Sequence, residues 1–63
     1  MKAKVNCNLL NVRSEKRKDV KTNILGVLKE DDEVEIVKEF KAWVEIKYED
    51  GTAYVMREYI DMI

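Results

Sequence analysis

Four kinds of side chain in this sequence could do chemistry: the carboxylates crowded at Asp31, Asp32, Glu33 and Glu35, the thiol of Cys7, the indole of Trp43, and a run of cations from Arg13 to Lys21. The acidic group could hold a calcium ion, but it lacks the spacing of a calcium loop, and a turn of carboxylates ordinarily faces water. A glycosidase pair drawn from the 8 Glu and 5 Asp would need a cleft wide enough for a sugar. A domain this small has little room for one. Cys7 is the only cysteine and there is no histidine, so the thiol has no dyad partner, no disulfide partner and no zinc framework. The missing histidine also removes the usual general base and the commonest metal ligand. Cys7 shares parity with Val5, and we read it as a small buried apolar residue. No catalytic residue, metal or cofactor is expected.

What remains is binding. Between Arg13 and Lys21 the cations Arg13, Lys16, Arg17, Lys18 and Lys21 outweigh Glu15 and Asp19, for a net charge of +3. Between Lys29 and Glu39 the balance is -4. A cationic loop attracts anionic polymers with strong salt dependence, although a solvated loop has the same composition.

The elements that must position these groups are strands. From Lys2 to Leu10 the residues alternate, with Ala3, Val5 and Cys7 on one parity. The Leu9-Leu10 pair breaks that register, and a bulge or bend there moves the buried set to Leu10 and Val12. Ser14 to Asn23 reads as a long exposed loop, and Ile24 to Leu28 as a short buried strand. The turn KEDD follows, in which Asp31 can take a left-handed backbone. A strand then runs from about Val34 to Phe40. From Trp43 to Tyr48, Val44, Ile46 and Tyr48 share one face, and Trp43, Glu45 and Lys47 the other. Asp50-Gly51 is the strongest hairpin signal, Thr52 to Val55 is the returning strand, and Met56 to Tyr59 forms one tight helical turn before Ile60 to Ile63.

At 63 residues, 46% apolar and 40% charged, the chain has room for one small domain. Five or six short antiparallel strands, with one 3-10 turn near the C-terminus, make an all-β barrel the expected fold. No apolar run approaches the roughly 18 residues a membrane span needs. The opening MKAKVNCNLL is too polar for a signal peptide, so any such signal would lie outside this chain.

The strings LNVRS at Leu10 to Ser14, ILGVLKEDDEVEI at Ile24 to Ile36, WVEIKYEDGTAYV at Trp43 to Val55 and a closing Tyr59-Ile60 together resemble the bacterial SH3 domain, often called SH3b. The resemblance covers nearly the whole chain. It implies a small SH3-like β-barrel that serves as a non-catalytic targeting or binding module, commonly appended to cell-wall hydrolases and other envelope proteins. Three positions depart from the family pattern: Glu15 follows LNVRS where a Gly-Pro turn is common, Asp31 stands for a turn glycine, and Ala53 stands for the glycine before Tyr-Val. The segment AYVMREYI is also similar to the GYIPSNYV segment of eukaryotic SH3 domains. That likeness puts Met56 at the ligand-contacting proline, Tyr59 at the groove tyrosine and Trp43 at the groove tryptophan. The aromatic ALYDY segment has no counterpart, so half of a proline-rich peptide groove is absent.

Trp43, if it points outward, offers a rigid platform with an indole N–H; the other reading is that it covers an end of the barrel or packs under the basic loop. Tyr59 lines a groove or seals the barrel. Tyr48 and Tyr54 read as core or rim, and Phe40 has no assigned role. The reading as a whole is a single module, residues 1–63, binding a short extended peptide with Trp43, Tyr59, Met56, Arg13, Lys16 and Arg17. The resemblance implies a cell-wall peptide as ligand, such as a peptidoglycan stem or cross-bridge, and an extracellular or envelope location for the parent. The alternative is a protein-protein or intramolecular module that never meets the wall. Nucleic acid is disfavoured by the acidic pI and the want of stacking aromatics on one basic face. The expected state is a monomeric module of a larger protein.

Overall fold

The computed structural model describes residues 1–17 and 22–63. Of the expected loop from Ser14 to Asn23, Lys18, Asp19, Val20 and Lys21 therefore lie outside the described residues. The described residues form seven strands: β1 (Lys2–Val5), β2 (Leu9–Arg13), β3 (Ile24–Lys29), β4 (Glu33–Glu39), β5 (Trp43–Tyr48), β6 (Gly51–Met56) and β7 (Ile60–Met62). A 3-10 turn, Arg57–Tyr59, joins β6 to β7. Among the described residues seven strands form where five or six were expected, because the first alternating stretch breaks at Asn6 to Asn8, leaving β1 and β2 to pair with different neighbours. No helix among the described residues is long and apolar enough to cross a membrane.

The strands follow one another across a single antiparallel sheet in the order β3-β2-β6-β5-β4-β1-β7. β3 and β7 do not pair with each other, so the sheet curls around its core without closing. The core is a set of small and β-branched side chains, Ala3, Val5, Leu10, Val12, Val34, Val44, Ile46, Ala53, Val55 and Ile60. Their branched shapes suit a pleated surface, and the period of two sends them inward while their neighbours face out. Leu9 is 67% exposed and Leu10 and Val12 are buried, so the shift of register read from the two leucines is present. Ala53, where the family pattern has glycine, is fully buried opposite Ile46.

Three local expectations need correction. The stretch Ile24 to Leu28 is a strand but not a buried one. Among the described residues β3 pairs only with β2, and it turns Leu25 and Val27, each 50% exposed, to the outside. The hairpin turn sits one residue earlier than the Asp50-Gly51 signal suggested. Tyr48 pairs with Gly51, so Glu49 and Asp50 form its centre, with the positive φ of 53° on Glu49. Asn23, read as loop, is buried. It is accounted for by three hydrogen bonds: its side-chain oxygen accepts from Arg13 Nη1 at 3.0 Å, its Nδ2 donates to the Arg17 carbonyl at 3.0 Å, and its own carbonyl accepts from Ser14 N at 2.8 Å. The residue thus ties both ends of the loop to β2.

The turn after β3 explains the acidic cluster. Asp32 accepts a hydrogen bond from the Lys29 amide at 2.8 Å, and the Asp31 amide donates to the Val5 carbonyl at 2.9 Å. Asp31 takes φ 73°, the left-handed backbone that glycine adopts without cost. Asp31→Gly is therefore expected to raise stability by about 0.5–1 kcal/mol, the relief of that conformation less the extra chain entropy of glycine. A thermal melt checks it, and an unchanged or lower midpoint would show that the Asp31 carboxylate is itself stabilising.

Candidate functional site

The outward faces of β2 and β6 and the 3-10 turn frame a groove of about 320 Å³, lined by Leu9, Leu10, Asn11, Arg13, Met56 and Tyr59. Each part is there for a local reason. Leu9, Asn11 and Arg13 are the outward parity of β2, whose inward parity is Leu10 and Val12. Met56 ends β6 on the face opposite Val55 and Ala53. Tyr59 closes the 3-10 turn and is 39% exposed.

Backbone contacts hold that turn in place. The Tyr59 carbonyl accepts from the Asn6 amide at 2.9 Å, and the Arg57 amide donates to the Ala42 carbonyl at 3.0 Å. The Arg57 guanidinium reaches Glu39 Oε1 at 2.6 Å, an exposed pair that adds little stability but orients the turn. On the facing wall, Arg13 donates to the buried Asn23, which fixes the direction of its guanidinium beside the groove. The result is a shallow trough of mixed polar and apolar lining, to which Tyr59 contributes a phenol and Arg13 a guanidinium.

Of the six residues singled out in the sequence, the structure brings Arg13, Met56 and Tyr59 together here. Trp43 is half-buried and pairs in register with Met56, but it lines neither this groove nor a second one of about 370 Å³ formed by Lys41, Ala42, Met56, Arg57 and Glu58. Lys16 sits elsewhere, with its ammonium 3.9 Å from the centroid of the Phe40 ring and 5.8 Å from that of Tyr54. The Arg17 carbonyl takes part in the Asn23 tie. Phe40 and Tyr54 pack with centroids 6.1 Å apart at 57°, and Lys38 also lies over Phe40, at 5.3 Å. Phe40, with no role in the sequence, is thus the ring on which two lysines converge. Cys7 is half-buried, and its thiol donates to the Leu9 carbonyl at 3.3 Å.

Leu9, Leu10 and Asn11 were missed as groove residues. The signal for Leu9 was present, because the leucine on the wrong side of a register break must face outward. For Asn11 only the pairing partner of β2 decides that a groove exists beside it, and that partner is far away in the chain.

The profile of the bacterial SH3 domain matches residues 8–61. The chain belongs to the bacterial SH3 domain family. A comparison with curated proteins finds no match. Bacterial SH3 domains are binding modules, and the parts of the site above fit one. β1 lies outside the matched residues, yet it carries Ala3 and Val5 of the core and pairs with both β4 and β7. Among the described residues no group of three or more Asp, Glu or Cys is placed to hold a metal ion.

Proposed function

We propose that this bacterial SH3 domain is a non-catalytic targeting module that holds a short extended peptide of the bacterial cell wall in the groove between β2 and the 3-10 turn. The observation that carries the reading is the convergence of Tyr59, Met56 and Arg13 from separate parts of the chain on one trough. Its volume of about 320 Å³ suits a few residues of peptide and not a long chain. The phenol and the thioether supply apolar contact at low entropic cost, and the positive charge of Arg13 beside the trough favours an anionic group such as the carboxylate a peptidoglycan stem presents. Shallow contact of this kind predicts affinity in the micromolar range or weaker.

The test is retention of the purified domain on insoluble peptidoglycan, with and without its anionic polymers, at low and moderately high salt. Salt-resistant retention on stripped peptidoglycan is expected. Tyr59→Ala is expected to weaken binding of a soluble wall peptide about tenfold, which corresponds to about 1.4 kcal/mol, with an unchanged melting profile. Retention that disappears with salt or with the anionic polymers would refute groove recognition and leave charge attraction alone. No retention at all would turn the search to a protein segment as the occupant.

A further inference from the structure

We infer that the Phe40 and Tyr54 rings, with Lys16 and Lys38 drawn over them, form a further subsite that takes one carboxylate of the bound peptide. For the peptide itself the inference rests on the groove reading. Strand register builds the subsite. Arg13 pairs with Tyr54, Tyr54 with Glu45 and Glu45 with Lys38, so these four side chains make one row across β2, β6, β5 and β4 on the outer face of the sheet. The Phe40 amide donates to the Trp43 carbonyl at 2.8 Å, which closes the β4–β5 connection and holds the Phe40 ring 6.1 Å from that of Tyr54.

The two lysines reach this place from different directions. Lys16 comes from the loop after β2 and Lys38 from β4, and their ammonium groups lie 3.9 and 5.3 Å from the centre of the Phe40 ring. Like charges gathered on one ring repel each other, and among the described residues neither lysine is ion-paired to a carboxylate. A ring face attracts an ammonium from one side only and leaves other N–H donors open. An anion beside the ring takes those donors and offsets the repulsion.

The surroundings select a single carboxylate. Glu45 stands in the row between Tyr54 and Lys38 and is half-buried, so a run of phosphates would meet its negative charge after the first contact. One carboxylate on an aliphatic neck avoids it, and the half-buried Phe40 and Tyr54 rings supply apolar contact for the neck. Arg13 joins the two places, because it lines the groove and also begins the row that ends at Lys38. Three strand spacings separate those ends, roughly 14 Å, which about four extended residues span. A peptide seated in the groove therefore carries its acidic group to the lysines within that length.

Nuclear magnetic resonance titration of the labelled domain tests it, with a soluble peptidoglycan stem peptide as the free acid and with its carboxylates amidated. The free acid is expected to shift the ring signals of Phe40 and Tyr54 and the side-chain signals of Lys16 and Lys38, along with Met56 and Tyr59. The amidated form is expected to shift only Met56 and Tyr59. Lys16→Gln combined with Lys38→Gln, both at exposed positions, is expected to weaken the free acid about fivefold and leave the amidated form unchanged. Glu45→Gln is expected to tighten the free acid about twofold. Free-acid shifts at Met56 and Tyr59 with none at Phe40 would overturn the subsite and leave the groove reading standing. Shifts at Phe40 and Tyr54 with none at Met56 and Tyr59 would support the subsite and refute the groove. A stem peptide that moves neither set overturns both. Soluble polyphosphate that shifts Phe40 as strongly as the free acid would also overturn the inference, leaving charge attraction without selection of a carboxylate.

Discussion

Ile46→Ala is expected to cost about 2–5 kcal/mol, the range for truncating a buried aliphatic side chain to alanine. The effect is large because of what surrounds it. Among the described residues Ile46 is the largest fully buried side chain, and in the sheet it stands between Ile36 of β4 and Ala53 of β6. Ala53 contributes one methyl group, so Ile46 fills the space its partner leaves. A domain of 63 residues has a total stability of roughly 3–9 kcal/mol. The substitution therefore removes much of the whole. Thermal unfolding followed by circular dichroism would show a midpoint lower by roughly 10 °C or more, given about 4–8 °C per kcal/mol for a domain of this size. A fall of only a few degrees would mean that the core relaxes around the loss, contrary to the packing described.

Gly26→Val is the second large effect, and two principles disagree on its sign. Strand propensity alone favours valine over glycine, and the Gly26 backbone has no positive φ that would exclude a side chain. Sterics oppose it. A Cβ at Gly26 would overlap the Tyr48 hydroxyl oxygen and approach Cζ of the same ring to 3.3 Å. Tyr48 packs against the core from β5, so the contact joins two strands that do not pair in the sheet. Displacing either one is expected to outweigh the propensity gain, with a net loss of about 1–3 kcal/mol. Tyr48→Phe removes the nearest clashing atom, so adding it to Gly26→Val should recover part of the loss. A double-mutant cycle by denaturant unfolding measures this coupling. Gly51→Ala is the control, because a Cβ there meets nothing within 4 Å. A stabilised Gly26→Val variant would show that the Tyr48 ring yields easily.

The legibility of the chain follows the range of the interactions involved. Trp43 to Tyr48 could be read as a strand with Val44 and Ile46 inward because alternation is a local property. The left-handed backbone of Asp31 was legible for the same reason. The burial of β3 was not, since a short apolar run looks the same in the middle of a sheet and at its edge, and only the strand order decides. Asn23 shows the limit for polar residues. Its burial depends on Arg13 and Arg17, and nothing in the loop's composition distinguishes it from a solvated asparagine. For the groove, likeness to known SH3 segments pointed to Met56 and Tyr59, and the strand order gathered them beside Arg13 and Leu9. It placed Trp43 across from Met56 and outside the groove, and sent Lys16 to Phe40, a pairing between loops with no signal in either.

β1 and β7 run antiparallel, with Ala3 opposite Met62 and the Ile63 amide donating to the Lys2 carbonyl at 2.9 Å. The first and last residues therefore emerge from one corner of the molecule. Segments fused to the two ends would leave side by side, so the domain can be set into a loop of another protein without holding that loop apart. The same arrangement governs its response to tension. A pull on the two ends loads the β1–β7 ladder from Lys2 and Ile63 inward, one rung at a time, as a zipper opens, and never sets all its hydrogen bonds in shear together.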